Sequence, residues 1–308
     1  MPVGAPPASS PPSTTLHHTA PPAVAMPASK HERTPLRWVL WALFALVAIW
    51  LYSLWSTPPM GRELHALAEQ GVDLRVAGIG RHSASVIFLH GLSGSGALAL
   101  PLVKRLYNEL LQVSFILPSA PEMPVTANDG ETMPAWFDID ELNIVSPSNP
   151  PPMPTREDEA GMKKSVARVH ALIQEELDKG IDADRIVVGG FSQGCVISLL
   201  AALSSKEKLG GVMCLSGWLA MANKLEKHGG KLRHPMQEPH AHELPVFWGH
   251  GDLDNVVAHS WGEESIADLH KMGFRDVEFF SYPSLEHYMS AQEEKDIAAW
   301  LAKRLPPI

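Results

Sequence analysis

An α/β architecture, a mostly parallel sheet covered by helices on both faces, is what this sequence predicts, and three observations carry it. Short apolar runs of strand length alternate with longer amphipathic segments from Ser85 to Arg304, and strands that alternate with helices build parallel sheets. The runs SVIFLH, RIVVG and GVMCL are apolar throughout rather than at every second residue, as strands buried on both faces must be. The chain has 308 residues, 45% of them apolar, enough to fill one large core with residues to spare.

Taken in order, Ser85–His90 is the first clear strand, Ala97–Leu111 a helix and Val113–Leu117 a second strand, followed by a Pro-rich loop to about residue 155. Glu157–Lys179 reads as a long helix, with Met162, Val166, Val169, Ile173 and Leu177 on one stripe. Arg185–Gly189 is a strand, Gln193–Leu203 an apolar helix, and Gly211–Leu215, Pro245–His250 and Val277–Tyr282 are further strands. Helices over Trp261–Lys271 and Ala291–Arg304 complete the series. Cys195 and Cys214 both sit in apolar runs, and two buried thiols make a poor disulfide framework.

The N-terminal part has a different composition. Residues 1–35 are rich in Pro, Ala, Ser and Thr without apolar periodicity, which predicts a disordered tail. Trp38–Trp55 is a run of eighteen residues without a charge, and as a helix it is roughly 27 Å long, close to the thickness of a bilayer core. Trp38 and Trp41 at one end, with Trp50, Tyr52 and Trp55 at the other, resemble interfacial aromatic belts. The segment is too long and too far from residue 1 for a cleaved signal peptide. The expectation is therefore a tail over 1–35, one transmembrane helix over 36–57 and a catalytic body over 58–308, a single-pass membrane protein. Lys30, Arg33 and Arg37 before the span favour a cytosolic N-terminus.

Charge excludes one class of partner. The net charge is −9, with the first 57 residues at +2 and the remainder at −11. So acidic a body has no electrostatic footprint for nucleic acid.

Ligands of parallel sheets bind at the carboxyl ends of the strands, and three loops there carry chemistry. RIVVG runs into Gly190-Phe191-Ser192-Gln193-Gly194 and then an apolar helix. A serine on such a tight strand-to-helix turn needs glycine neighbours, because a Cβ would clash with nearby backbone. A serine nucleophile needs a base and a group that orients it, here in the chain order Ser, Asp, His. Asp252 and Asp254 follow the strand Pro245–His250, and His287 follows Val277–Tyr282. Either acid fits the spacing. The third loop, His90-Gly91-Leu92-Ser93-Gly94-Ser95-Gly96, supplies backbone N–H groups. The amides of Leu92 and Gln193 are candidate oxyanion donors. A phosphate-cradling reading of this loop lacks the acidic residue at the next strand end that would hold a ribose. His90 and His250 close their strands and read as structural turn residues, and Cys195 reads as buried.

The segments FLHGLSGSG, PSAPEMPVTANDGETMPAWFD, EDEAGM, RIVVGGFSQG, LSGWL and GHGDLDNVV resemble those of the acyl-protein thioesterase family. It is also called the phospholipase/carboxylesterase or lysophospholipase family and has the α/β-hydrolase fold. The likeness runs from about Val86 to the C-terminus. It implies Ser192 as nucleophile, His287 as base, Asp254 rather than Asp252 as orienting acid, and Trp136 as part of the acyl-chain wall. The chain departs from the family at HGLSGSG, where an acid is usual, and at Glu286 beside His287; residues 143–156 and 224–243 look longer than usual and suggest a rim.

The expected chemistry is cleavage of a fatty-acyl thioester or ester through an acyl-enzyme, on S-acylated proteins or lysophospholipids, without cofactor or metal. The membrane would be reached through the N-terminal helix. A short-chain carboxylesterase and an inactive tethered interaction module are the alternatives. The histidines of His234-Pro-Met-Gln-Glu-Pro-His240-Ala-His242 read as a solvated loop rather than a metal site, since no strand or helix fixes the ligands.

Overall fold

The computed structural model describes residues 71–107, 109–141 and 145–308. Among these, the strands are β1 (Leu74–Val76), β2 (Ala84–Leu89), β3 (Val113–Leu117), β4 (Glu122–Val125), β5 (Glu131–Pro134), β6 (Ile186–Phe191), β7 (Gly211–Leu215), β8 (Glu226–His228), β9 (Lys231–Arg233), β10 (Val246–Gly251) and β11 (Val277–Tyr282). The α-helices are α1 (Leu100–Leu106), α2 (Glu159–Asp178), α3 (Gln193–Leu203), α4 (His259–Met272) and α5 (Ala291–Arg304).

The main sheet has the order β1-β3-β2-β6-β7-β10-β11. Only β1 runs antiparallel within it. Alternate residues of each strand feed two cores. Ile87, Leu89, Val188, Val212 and Trp248 face α2, α3 and α4. Val86, Phe88, Val187, Met213 and Phe247 face α1 and α5. This two-sided burial is why β2, β3, β6 and β7 carry no polar alternation: each fully buried Val, Leu, Ile or Phe contributes about 1.5–3 kcal/mol on either face. The Asp158 side chain caps α2 by accepting from Gly161 N at 2.9 Å, and a Ser290/Glu293 capping box starts α5.

Several expectations are corrected here. The tail over 1–35 and the span over 36–57 lie outside the described residues, and no helix among the described residues is long and apolar enough to cross a membrane. The longest, α2, has 20 residues and carries Glu159, Lys163, Lys164, Arg168, Glu175 and Glu176, so only one stripe of it suits an apolar contact, and that stripe lies on the sheet. Among the described residues the fold class is accordingly the α/β-hydrolase sheet without a membrane helix, and the expectation of a single-pass membrane localisation is corrected to this extent: no described helix carries it. The two cysteines are not free thiols: Cys195 and Cys214 form a disulfide with Cα atoms 4.4 Å apart. The first turn of α3 lies against the C-terminal half of β7, a proximity that a sequence separation of 19 conceals. The Pro-rich loop contains the β4–β5 hairpin, and residues 224–243 contain the β8–β9 hairpin. His234 is fully buried, not solvated: its Nε2 lies 2.9 Å from Ala220 O, and its Nδ1 accepts from Met236 N at 3.1 Å.

Candidate active site

The turn after β6 is built as its glycines predict. A Cβ on Gly190 would run into the backbone of Gly194, and one on Gly194 into the carbonyl of Leu89. Between them Ser192 adopts φ 56°, ψ −120°, a conformation that costs a non-glycine residue about 1–3 kcal/mol. The surroundings hold it there: Ser192 N donates to Leu215 O at 2.8 Å, and Cys195 N donates to Ser192 O at 3.0 Å. Ser192 thus stands at the N-cap of α3.

The strand ends of β10 and β11 bring Asp254 and His287 together. His287 Nδ1 lies 2.8 Å from Asp254 Oδ2. A carboxylate only accepts, so Nδ1 carries the proton and Nε2 keeps its lone pair. The ring of Phe191, the residue before the serine, packs on the His287 ring with centroids 4.6 Å apart, which sets the imidazole beside the Ser192 turn. Asp254 is buried. Its Oδ1 accepts from Val256 N at 2.9 Å and Val257 N at 2.8 Å. Burial alone would push its carboxyl up, but hydrogen bonds from His250 and His287 hold it well below the usual carboxylate range. Asp252, the rival acid, instead accepts from Ser284 N at 2.7 Å and ties down the turn that leads to His287.

The Gly-rich loop lies against the serine: a Cβ on Gly91 would sit 3.2 Å from Ser192 Cβ. Ser93 N is engaged with Pro134 O at 2.9 Å and Gly94 N with Gly91 O at 3.2 Å, which leaves Leu92 between two tethered residues. Gln193 is the first residue of α3, where a helix N–H has no intrahelical partner. Its side chain braces the site from behind, accepting from Trp136 N at 3.1 Å and donating to Phe137 O at 2.9 Å.

Trp136 is placed inside the molecule rather than on an open wall. It is 1% exposed, its Nε1 donates to His90 O at 2.8 Å, and the Arg168 guanidinium lies 5.7 Å from its ring centroid. His90 accepts from Ala120 N at Nε2, 2.8 Å away. Burial, only partly offset by its contact with Gly91 O, lowers its pKa to about 4, so the ring is neutral at pH 7. Both residues fix the course of the Gly-rich loop. The rim expected from residues 143–156 is represented by Val145, Pro147 and Pro150, which with Asp252, His259 and Glu263 line a cavity of about 140 Å³ beside Asp254. Sequence reasoning missed Phe191, the side chain of Gln193 and the contact of His250 with Asp254. No motif signals these contacts: Phe191 and Gln193 meet partners far away in sequence, and the four-residue spacing of His250 and Asp254 does not show that the loop folds back to bring them together.

Among the described residues no group of three or more His, Cys, Asp or Glu side chains could hold a metal ion. The arrangement can support nucleophilic attack by a hydroxyl, with a base on one side and amides on the other.

Comparison with known proteins agrees with this geometry. Residues 75–305 match the phospholipase/carboxylesterase family. Acyl-protein thioesterase 1 of Cryptococcus neoformans is 41% identical over 236 residues, 73% of this chain and 93% of the relative. The protein of the same name from Neurospora crassa is 40% identical over 238 residues, 76% of this chain and 92% of the relative. Among solved structures, Zea mays acyl-protein thioesterase 2 superposes with a TM-score of 0.62 at 30% identity, covering 76% of this chain and 99% of that one. Arabidopsis thaliana SOBER1 superposes with a TM-score of 0.63 at 32% identity, covering 72% and 99%. The chain belongs to the phospholipase/carboxylesterase family, and it is a serine hydrolase of acyl esters and thioesters.

Proposed function

We propose that this chain hydrolyses fatty-acyl thioesters on S-acylated proteins, with lysophospholipids and other acyl esters as the neighbouring substrate class, through a triad of Ser192, His287 and Asp254. The observation that carries the reading is the 2.8 Å contact from His287 Nδ1 to Asp254 Oδ2, which leaves the other imidazole nitrogen as a base beside a serine held at positive φ. Relatives named acyl-protein thioesterase support the substrate class.

In this reading His287 Nε2 takes the Ser192 proton as Oγ attacks the acyl carbonyl carbon. The oxyanion forms against the amides of Leu92 and Gln193, where donors that are already oriented need no reorganisation. Collapse expels the thiolate or alkoxide, which takes the proton from His287, and leaves an acyl-Ser192 ester. Water then attacks that ester with His287 again as base, releasing the fatty acid and the serine. Asp254 remains ionised throughout and keeps the imidazole in the correct tautomer. Trp136 acts behind the loop, as a positioning residue, rather than as a wall of the acyl site.

The test is a fluorophosphonate probe on wild type and Ser192→Ala, followed by rates on a series of acyl chains. Labelling of wild type only, with palmitoyl preferred over acetyl and butyryl, is expected. Equal labelling of both proteins would remove Ser192 from the mechanism, and a preference for acetyl would make the enzyme a short-chain carboxylesterase.

A further inference from the structure

His250 is the last residue before the glycine that ends β10, and it is fully buried. Its Nε2 lies 3.0 Å from Val257 O and 3.4 Å from Asp254 Oδ2. Both neighbours are acceptors, so Nε2 carries a proton and points it between them. Asp254 Oδ2 therefore faces two imidazoles, His287 at 2.8 Å and His250 at 3.4 Å, while its Oδ1 takes the amides of Val256 and Val257. Four donors surround one carboxylate and leave it a single orientation. Val257 is tied at both ends of this arrangement: its N–H goes to Asp254 and its carbonyl to His250.

The far side of His250 is equally defined. Its Nδ1 is buried without a hydrogen-bond partner among the described residues, and it faces α4 at Gly262, where a Cβ would sit 2.7 Å from Nδ1 and 3.1 Å from Trp248 Nε1. His259 packs edge-on against the ring, with centroids 5.5 Å apart. A glycine at position 262 is what lets the imidazole lie flat enough to reach Asp254.

We propose that His250 is a positioning residue of the reaction: a second histidine that clamps the Asp254 carboxylate onto His287, with Gly262 making the room it needs. This rests on the triad reading above. It differs from a packing role in requiring a donor at the Nε2 position, which Gln can supply and Asn, one carbon shorter, cannot.

The experiment uses the full chain with His250→Asn, His250→Gln and Gly262→Ala, on a chromogenic acyl ester, together with the downfield proton resonance of the His287–Asp254 hydrogen bond. His250→Asn is expected to lower kcat by about 10- to 100-fold with KM little changed, the loss typical of a displaced catalytic group, and to weaken or abolish the resonance. His250→Gln is expected to recover most of the loss. Gly262→Ala gains helix propensity but presses on Nδ1 in a packed interior, so it is expected to fold with no more than a modest loss of stability and to lose kcat. It carries the test if His250→Asn does not fold. Loss of kcat and resonance to the same extent in the Asn and Gln variants would overturn the proposal in favour of packing, as would wild-type values in His250→Asn or Gly262→Ala. The resonance reports on Asp254 without turnover. Failure of the triad reading would show separately, as absent probe labelling of wild type beside an intact resonance.

Discussion

Replacing Glu293 by Gln isolates one buried carboxyl whose protonation the fold controls. Glu293 is 1% exposed at the start of α5. It lies under Gly249 of β10, where a Cβ would run into its Oε1, and that oxygen has no hydrogen-bond partner among the described residues. Burial pushes its pKa from 4.5 to about 8; the Ser290 amide opposes the shift, and the charges of Glu294, Asp296 and Asp254 add to it. A carboxyl with a raised folded-state pKa holds its proton more tightly folded than unfolded. Wild type therefore loses stability as pH rises from 4.5 towards 8, and the loss is complete above 8. At about 1.4 kcal/mol per unit, the span is at most about 5 kcal/mol, and relaxation around the charge reduces it to a few kcal/mol. Gln imitates the protonated acid and can still accept from Ser290 N. Urea unfolding at pH 5.5, 7 and 8.5 should show the Glu293→Gln variant gaining on wild type with each step, by a few kcal/mol at the top. The other groups titrate alike in both proteins and cancel in the difference. A gap independent of pH would refute the argument.

Three further outcomes are expected. Asp254→Asn offers His287 an amide in place of an acceptor-only carboxylate and should lower kcat by about 10³–10⁴-fold with little change in KM; steady-state kinetics showing less than a tenfold loss would remove Asp254 from the triad. Trp136→Phe keeps most of the buried ring but strands the His90 carbonyl, so urea unfolding should show a loss of about 1–3 kcal/mol, and an unchanged midpoint would contradict it. The Cys195–Cys214 bond closes a loop with a sequence separation of 19, so reduction should destabilise the fold by about 3 kcal/mol. Thiol titration of the denatured protein should find no thiol before reduction and two after it.

Much of the site was legible because it obeys local rules. Ser192 could be placed because strand, glycines and helix are contiguous in sequence, and a tight turn with Gly190 and Gly194 admits few other designs. His287 and the pair Asp252/Asp254 could be placed at strand ends, because alternating apolar runs mark where strands stop. Choosing between the two acids from the residues alone was not feasible. They differ in which backbone turns towards which neighbour, and only the fold gives Ser284 N to Asp252 and His287 to Asp254. Trp136 shows the opposite failure: the motif around it is readable, but its direction, inward under His90, is not.

The sequence by itself determined the α/β architecture, the two-sided burial of its strands and the order of the chemical groups at their ends, because periodicity and turn chemistry act over a few residues. Tertiary structure alone decided the antiparallel edge strand β1, the hairpins β4–β5 and β8–β9, the Cys195–Cys214 bond, the buried setting of His234 and the second histidine on Asp254. Most of these join or orient groups by packing that no local pattern specifies; the β8–β9 hairpin alone has a local mark, the two-residue turn Gly229-Gly230. The apolar run at Trp38–Trp55 meets the length criterion for a span and lies outside the described residues; among those, the sheet carries the chemistry and no helix is suited to cross a membrane.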